Sequence, residues 1–595
     1  FTLNRLLAFS LSAAIADAAT FTYDNGTAWQ NWNVPANWTV VGVDGDGLPD
    51  ADDDVTIPTG FQVTANLTSS MNSLTIDGDI RFRNPVTPTL TVGTLNMNSG
   101  ILGESSGNRV GIVAVTGDMK LLTGSCTIGE VSLTVAGTLR VYSTYNESST
   151  QGTITFNAVQ MYNGSNWTYN NTETFTVTNN FTMKGATVDG TANGRFNIGG
   201  DLVVDSATNN WGQSRLIVTG TLTINNGATF NITSLTGTKT TNNIDINSGG
   251  TWTDLVSEAW TVNGNIENDG TFNAGTGNYT LAGTNKTLSG SSVTSFFNAI
   301  CTGSYTNNGS FQAQNNISSS GSFSQGTNGN LEILNSCAVS TFNASALGNT
   351  VTYGGGVTQN MRVPNDGAYH NLSLSNTALK RITGATVVNG DLSIGVGSTL
   401  DVRSGGIDHQ FNLAGNWTNQ GGFNERTGLV VFDGTGAQLI TNAGLETFYD
   451  LQFSNSGTKT LAANIQTTDD LDILNPAVLD AGANFTITVK SDWTNTGTFI
   501  PQQGTVALNN TTTGSINGAG VNNFFNLTSV GPDNNLNTSA NLAGTLTITS
   551  GNFETTGQTL TLTSDATNTG RIASITAPRF TGNITMQRHI PGTIT

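Results

Sequence analysis

The chain has 595 residues, of which 71 are Gly, 36% are hydrophobic and only 10% are charged, and its formal charge is -19. So few charged residues, where an ordinary soluble domain carries about 25%, and so little Leu, Glu, Lys and Ala exclude a helical bundle or coiled coil. The 21 Lys plus Arg are too dispersed for a nucleic-acid-binding surface, and no apolar run reaches the ~18–20 residues of a membrane-spanning helix.

From the amino terminus, FTLNRLLAFSLSAAIADAAT places a cation at Arg5, an apolar run from Leu6 to Ile15 and the small residues Ala16-Asp17-Ala18. This order predicts a secretory leader over residues 1–18, cleaved after Ala18. A type IV pilin also opens on FTL, but pilins carry Glu where Arg5 stands and have a longer apolar helix. Residues 19–85 differ from the rest. Trp29, Trp32 and Trp38 precede an Asp-rich turn, Asp44-Gly45-Asp46-Gly47-Leu48-Pro49-Asp50, and the strand Val55-Thr56-Ile57. Such a compact Trp-rich unit is expected to cap the open end of a repetitive β-fold. The turn spaces Asp44, Asp46 and Asp50 as calcium loops space their oxygens, although Val55 stands at the twelfth loop position, where an EF-hand has Glu. Calcium and a solvated acidic turn are the two readings, and no other cofactor is expected.

Residues 86–264 repeat short alternating runs such as Leu133-Thr134-Val135 and Leu222-Thr223-Ile224 with weak phase. Between 265 and 570 the phase is strong. Phe296-Phe297-Asn298, Tyr369-His370-Asn371, Phe448-Tyr449-Asp450 and Phe524-Phe525-Asn526 recur at spacings of 73, 79 and 76. Trp417 and Phe423 of NWTNQGGF match Trp493 and Phe499 of DWTNTGTF, with Ile266 and Phe272 at the corresponding places upstream. Leu392, Leu471 and Leu546 open a third matching run. About four modules of ~76 residues follow from these anchors. Residues 571–595 read as a junction that normally continues.

Period-two alternation predicts strands, and Asn-Gly, Ser-Gly and Asn-Asn between them predict turns. A string of small sandwiches needs a larger apolar core per unit than 36% hydrophobic residues supply. A parallel β-solenoid, or β-helix, buries little per coil but joins it along the axis. The expected fold is therefore all-β: a parallel β-solenoid rod with an N-terminal capping segment, of ~26 coils at ~22 residues each.

The chemistry-bearing residues are sparse. Cys126, Cys301 and Cys337 form neither a metal pair nor a disulfide framework, and are expected as buried thiols. His370, His409 and His589 have no metal or nucleophile spacing. The acidic group Asp469, Asp470 and Asp472 is the nearest approach to the carboxylates of a polysaccharide-cleaving β-helix, with Asp472 expected to face outward. A solvated edge is the simpler reading. Sequons such as Asn25, Asn416 and Asn526 occur about as often as composition alone demands. No catalytic residue is assigned.

The order W..NW, then ADDDVTIP, then NSLTIDG (Asn72 to Gly78), followed by NWTN.G.F, V.F.G.GAQ.I and FY.L modules, resembles large secreted repeat proteins of the Bacteroidetes. The resemblance implies export through the type IX system to the cell surface or beyond, and it says little about activity. Three functions follow as expectations: a non-enzymatic structural or adhesive rod contacting glycans or surfaces, a filament of end-to-end copies, or a carbohydrate-active β-helix enzyme.

Overall fold

The computed structural model describes residues 18–26, 28–83, 87–103, 111–148, 152–169, 172–190, 194–575 and 579–592. The expected leader lies outside the described residues except for Ala18. The described chain is 58% strand and 1% helical, and its stacked parallel strands form a β-solenoid of about 24 turns. That is slightly fewer than the ~26 expected. The chain divides into two compact units, residues 1–280 and 281–595.

In the first unit, inward side chains alternate with outward ones and stack turn on turn. Leu133 lies in register with Ile154, Ile154 with Phe175, Phe175 with Phe196 and Phe196 with Leu216, at intervals of 20 or 21 residues. All five are fully buried. One turn buries only a few such side chains, each worth about 1.5–3 kcal/mol, so the turns stand only by stacking. Trp167 joins three of these layers, with ring centroids 5.1 Å from Phe175, 5.2 Å from Phe196, 5.7 Å from Phe156 and 6.0 Å from Phe181.

The unit's first ladder strand, Thr20–Tyr23, pairs in parallel with Asp54–Ile57 on one edge. On its other edge it pairs antiparallel with Trp38–Val41. That reversed strand occupies the edge to which another turn could add, and blunting an edge in this way blocks templated pairing. Trp38 anchors it: its ring lies 4.9 Å from Trp32 and 5.2 Å from Tyr23, and its indole N–H donates to the Trp32 carbonyl at 2.9 Å. This is the capping segment.

In the second unit each turn visits three sides in a fixed order. The first side stacks Asn371–Leu374, Leu392–Ile394, Trp417–Asn419 and Gln438–Asn442. The second includes Leu379–Ile382 and Thr399–Asp401 and, further on, Glu446–Phe448, Ile465–Thr467 and Asn526–Val530. The third stacks Phe411–Leu413, Leu429–Phe432, Asp450–Phe453, Leu471–Ile473 and Trp493–Asn495. Leu392, Leu471 and Leu546, equivalent in the repeat, fall on the first, third and second sides in turn. Trp417 and Trp493 are eleven ladder strands apart, or three and two-thirds turns at three strands per turn. Each repeat therefore climbs ~18 Å at ~4.8 Å per turn and arrives one side short of where it began.

The repeat preserves its core despite this rotation. Trp417 lies 5.1 Å from Phe423 and 5.5 Å from Phe448, and one repeat later Trp493 lies 4.9 Å from Phe499 and 5.7 Å from Phe524. Both sets meet edge-on or tilted, the favourable arrangement for aromatic quadrupoles.

Candidate functional site

The acidic turn of the capping unit is held by its own backbone. Asp44 Oδ2 accepts the Asp46 and Gly47 N–H groups, and Asp46 Oδ1 accepts the Leu48 N–H at 2.9 Å. Buried Asp53 accepts the Ala19 N–H at 2.9 Å and the Asp50 N–H at 2.8 Å. Of the expected trio the structure brings Asp44 and Asp50 together and leaves Asp46 apart. Asp53 takes its place, and the three offer oxygens within 4.8 Å of one another. Asp53 escaped the sequence reading because it stands beyond the spaced turn, just before the strand Asp54–Ile57.

Asp469, Asp470 and Asp472 resolve into two roles. Asp470 and Asp469 approach Asp450, one oxygen of each within 4.8 Å. Asp472 points outward between buried Leu471 and Ile473, as its strand parity requires. Asp470 also belongs to a ladder: the Asp470 N–H donates to Asp450 Oδ1 at 3.3 Å, the Asp492 N–H to Asp470 Oδ1 at 3.0 Å, and the Ser515 N–H to Asp492 Oδ1 at 2.8 Å. One repeat earlier the same ladder is Asn371, Asp391 and Asn416, ending on the Leu439 N–H, with bonds of 2.8–2.9 Å. Each side chain thus clamps a corner amide of the next turn. Burial raises the carboxyls of Asp450 and Asp492 above the ordinary carboxylate range, and neighbouring acids add to the rise. The sequon residue Asn416 is one of these clamps. A second sequon residue, Asn526, likewise accepts the Thr545 N–H at 3.1 Å.

Among the described residues, neither group of acids close enough to hold a metal includes His370, His409 or His589. The three cysteines are free; Cys126 and Cys301 are buried and Cys337 is half-buried. Burial pushes the Cys126 thiol up to about 11.

Two buried polar devices were not foreseen. Glu446 Oε2 accepts the Trp417 indole N–H at 2.9 Å and the Asn419 amide at 2.8 Å, and one repeat later Asn522 Oδ1 accepts the same pair from Trp493 and Asn495 at 3.1 and 3.3 Å. Lys459, fully buried, donates to the carbonyls of Gly434, Ser454, Asn455, Ser456 and Gly457 at 2.7–3.3 Å. Its equivalents are buried Lys380, which donates to Gly355 and Gln359, and buried Asn534. The signal available beforehand was the strand parity itself, which turns Lys380 and Lys459 inward.

The outward positions form straight rows. In the first unit Thr134, Thr155, Thr176 and Asn197 follow one another in register on one side, and Asn146, Thr168 and Asp189 on another. In the second unit Ser393, Thr418 and Thr441 do the same. No protein-family model, curated protein or solved structure matches the chain.

Proposed function

We propose that the protein is a non-enzymatic structural rod, exported to the cell surface or into an extracellular fibre, that contacts glycans or surfaces through its outer rows. The observation that carries this reading is the register of the outward Thr, Asn and Ser side chains. At ~4.8 Å per turn the rows present hydroxyl and amide groups at a regular pitch, suited to many weak hydrogen bonds acting together. Of the acids that a polysaccharide-cleaving reading would recruit, Asp470 is engaged in the fold itself, accepting the Asp492 N–H of the next turn. The resemblance to secreted Bacteroidetes repeat proteins supports the address.

The test exposes the purified chain to a glycan array and then to the polysaccharides it retains. Retention with no shortening of the polysaccharide is the expected result. Shortened products would replace the scaffold with an enzyme, and absence of retention on every glycan would remove the adhesive part. Fractionation of cells producing the full-length protein checks the address, with recovery in the cytoplasm counting against export.

A further inference from the structure

Three of the chain's 21 cationic side chains meet at one place on the second unit. A hairpin of two antiparallel strands pairs Arg403–Ser404 with Ile407–Asp408, and turns through Gly405 and Gly406, whose φ values of 59° and 83° suit residues without a Cβ. The hairpin stands beside the second side, where Asn360, Arg381 and Asp401 are in register on successive turns. Between them lies an open pocket of about 390 Å³, lined by Arg381, Arg403, Arg426, Asp401 and the two glycines among others. That size falls in the ~300–1,000 Å³ range of ligand clefts.

Three guanidiniums meet two carboxylates here, Asp401 and Asp408, and Glu425 lies close enough to act on Arg426. Arg426 spans both oxygens of Asp401, at 3.0 and 3.1 Å. Arg403 spans both oxygens of Asp408, which also accepts from the backbone and hydroxyl of Thr427. Asp401 is buried, whereas the three guanidinium side chains are each about 40% exposed, at 42, 43 and 39%. Arg381 comes no closer to Asp401 than 3.8 Å through Nε. Two acids are thus bound in fork-to-fork pairs, and a third guanidinium stands beside them with donors to spare. Guanidinium is the group best shaped to take a planar or tetrahedral oxyanion by paired N–H bonds.

The repeat supplies its own comparison. One module later Asp401 corresponds to Asp480, Arg426 to Gln502 and Arg381 to Thr460, while the chain runs through Ala481 and Gly482 with no hairpin. The acid-to-turn contact persists, since Gln502 Nε2 donates to both oxygens of Asp480 at 3.1 and 3.2 Å. Both turn residues hold a left-handed backbone, φ 54° at Arg426 and φ 48° at Gln502. The fold therefore needs the acid and its turn partner; the arginines and the hairpin are additions to it.

We propose that this pocket binds the anionic group of an acidic polysaccharide, a sulfate ester or a uronate carboxylate. The proposal rests on the reading of the rod as a glycan-contacting scaffold and names the class of glycan at one site.

The test titrates the full chain with dextran sulfate, polygalacturonate, neutral dextran and sodium sulfate, at low and at physiological salt. Wild type is expected to bind at least one of the two acidic polymers, more weakly as salt rises. Arg381→Thr is expected to weaken that binding about tenfold, and Arg381→Thr with Arg426→Gln to abolish it. Both variants should melt close to wild type, because the next module folds with those residues. Failure to bind either acidic polymer, or equal binding by the double variant, overturns the proposal. Binding of sodium sulfate with neither polymer also overturns it and leaves a small-anion site. If neutral dextran is retained equally by wild type and variants while the acidic polymers are not, the scaffold reading stands and this site does not.

Discussion

Trp417 and Trp493 hold the same place in consecutive repeats and share two aromatic contacts, yet they lie on different sides of the solenoid. Three and two-thirds turns separate them, so whatever a repeat displays outward is carried one side around at each step. Three repeats bring it back. A single side thus never shows one surface twice in succession, which suits contact with a partner from any direction around the axis. Trp417 also meets Phe411 and Phe432, where the next repeat has Ile487 and Leu508, and the polar partners of the two indoles differ. The Trp417 N–H meets a carboxylate, Glu446, and the Trp493 N–H meets an amide, Asn522.

That difference makes the two tryptophans unequal. Replacing either by Ala is expected to cost about 3–5 kcal/mol, the range for large aromatic side chains removed from a packed core. Replacing each by Phe separates them: Trp417→Phe should be worse than Trp493→Phe by about 1 kcal/mol, since bonds to charged groups are the stronger class. Denaturant unfolding of the two Phe variants measures the difference, and equal values would remove the special role of Glu446.

Glu446 should also leave a signature in pH. Burial raises its carboxyl above the ordinary range, and the bonds from Asn419 and Trp417 only partly offset the rise. A folded value above the unfolded one means that ionised Glu446 lowers stability at neutral pH, a loss relieved as pH falls through the folded value. Glu446→Gln keeps an acceptor for both donors. It is expected to unfold at a higher temperature than wild type at pH 7, with the gain shrinking on acidification. A gain independent of pH would point to packing instead.

The corner ladder gives a second pH test with the same sign. Asp450→Asn retains the oxygen that accepts the Asp470 N–H, as Asn371 does one repeat earlier. It removes a carboxyl whose proton affinity is raised by burial and by Asp469, Asp470 and Asp472. The variant should be more stable than wild type at pH 7, and the advantage should fade toward pH 4. Asp450→Ala lacks that oxygen as well and should lie about 1 kcal/mol below Asp450→Asn at either pH, the worth of one corner bond. Thermal melts of the two variants at both pH values decide the matter.

The buried lysines predict the opposite pH sense. Burial lowers the Lys380 ammonium to about 8. The unfolded chain therefore holds a proton that the native chain gives up between pH 8 and about 10.4, the ordinary lysine value, and native stability rises across that window. Wild type should gain on Lys380→Asn between pH 7 and pH 10. Lys459→Met, which leaves five carbonyls without their shared donor, is expected to cost about 2–4 kcal/mol at pH 7. Urea titrations of both variants measure these shifts.

Much of this molecule was legible before any coordinates. Alternating short runs and polar turns imply strands, and the three in-phase anchors imply a repeat of about 76 residues, because inward and outward positions are set by residue parity alone. Parity also places Asp472 outside and Leu471 inside. Tertiary structure decided what parity does not encode. How far the backbone bends at each corner fixes three strands per turn, hence about 24 turns and a repeat that ends a third of a turn early. Contacts between residues some 20–29 positions apart then assigned roles that no local pattern carries: Asp470 clamping the amide of Asp492, Glu446 receiving Trp417 and Asn419, and three arginines from separate turns gathered around Asp401. Local sequence sets which way each side chain faces; only the closure of each turn sets which other turn it meets.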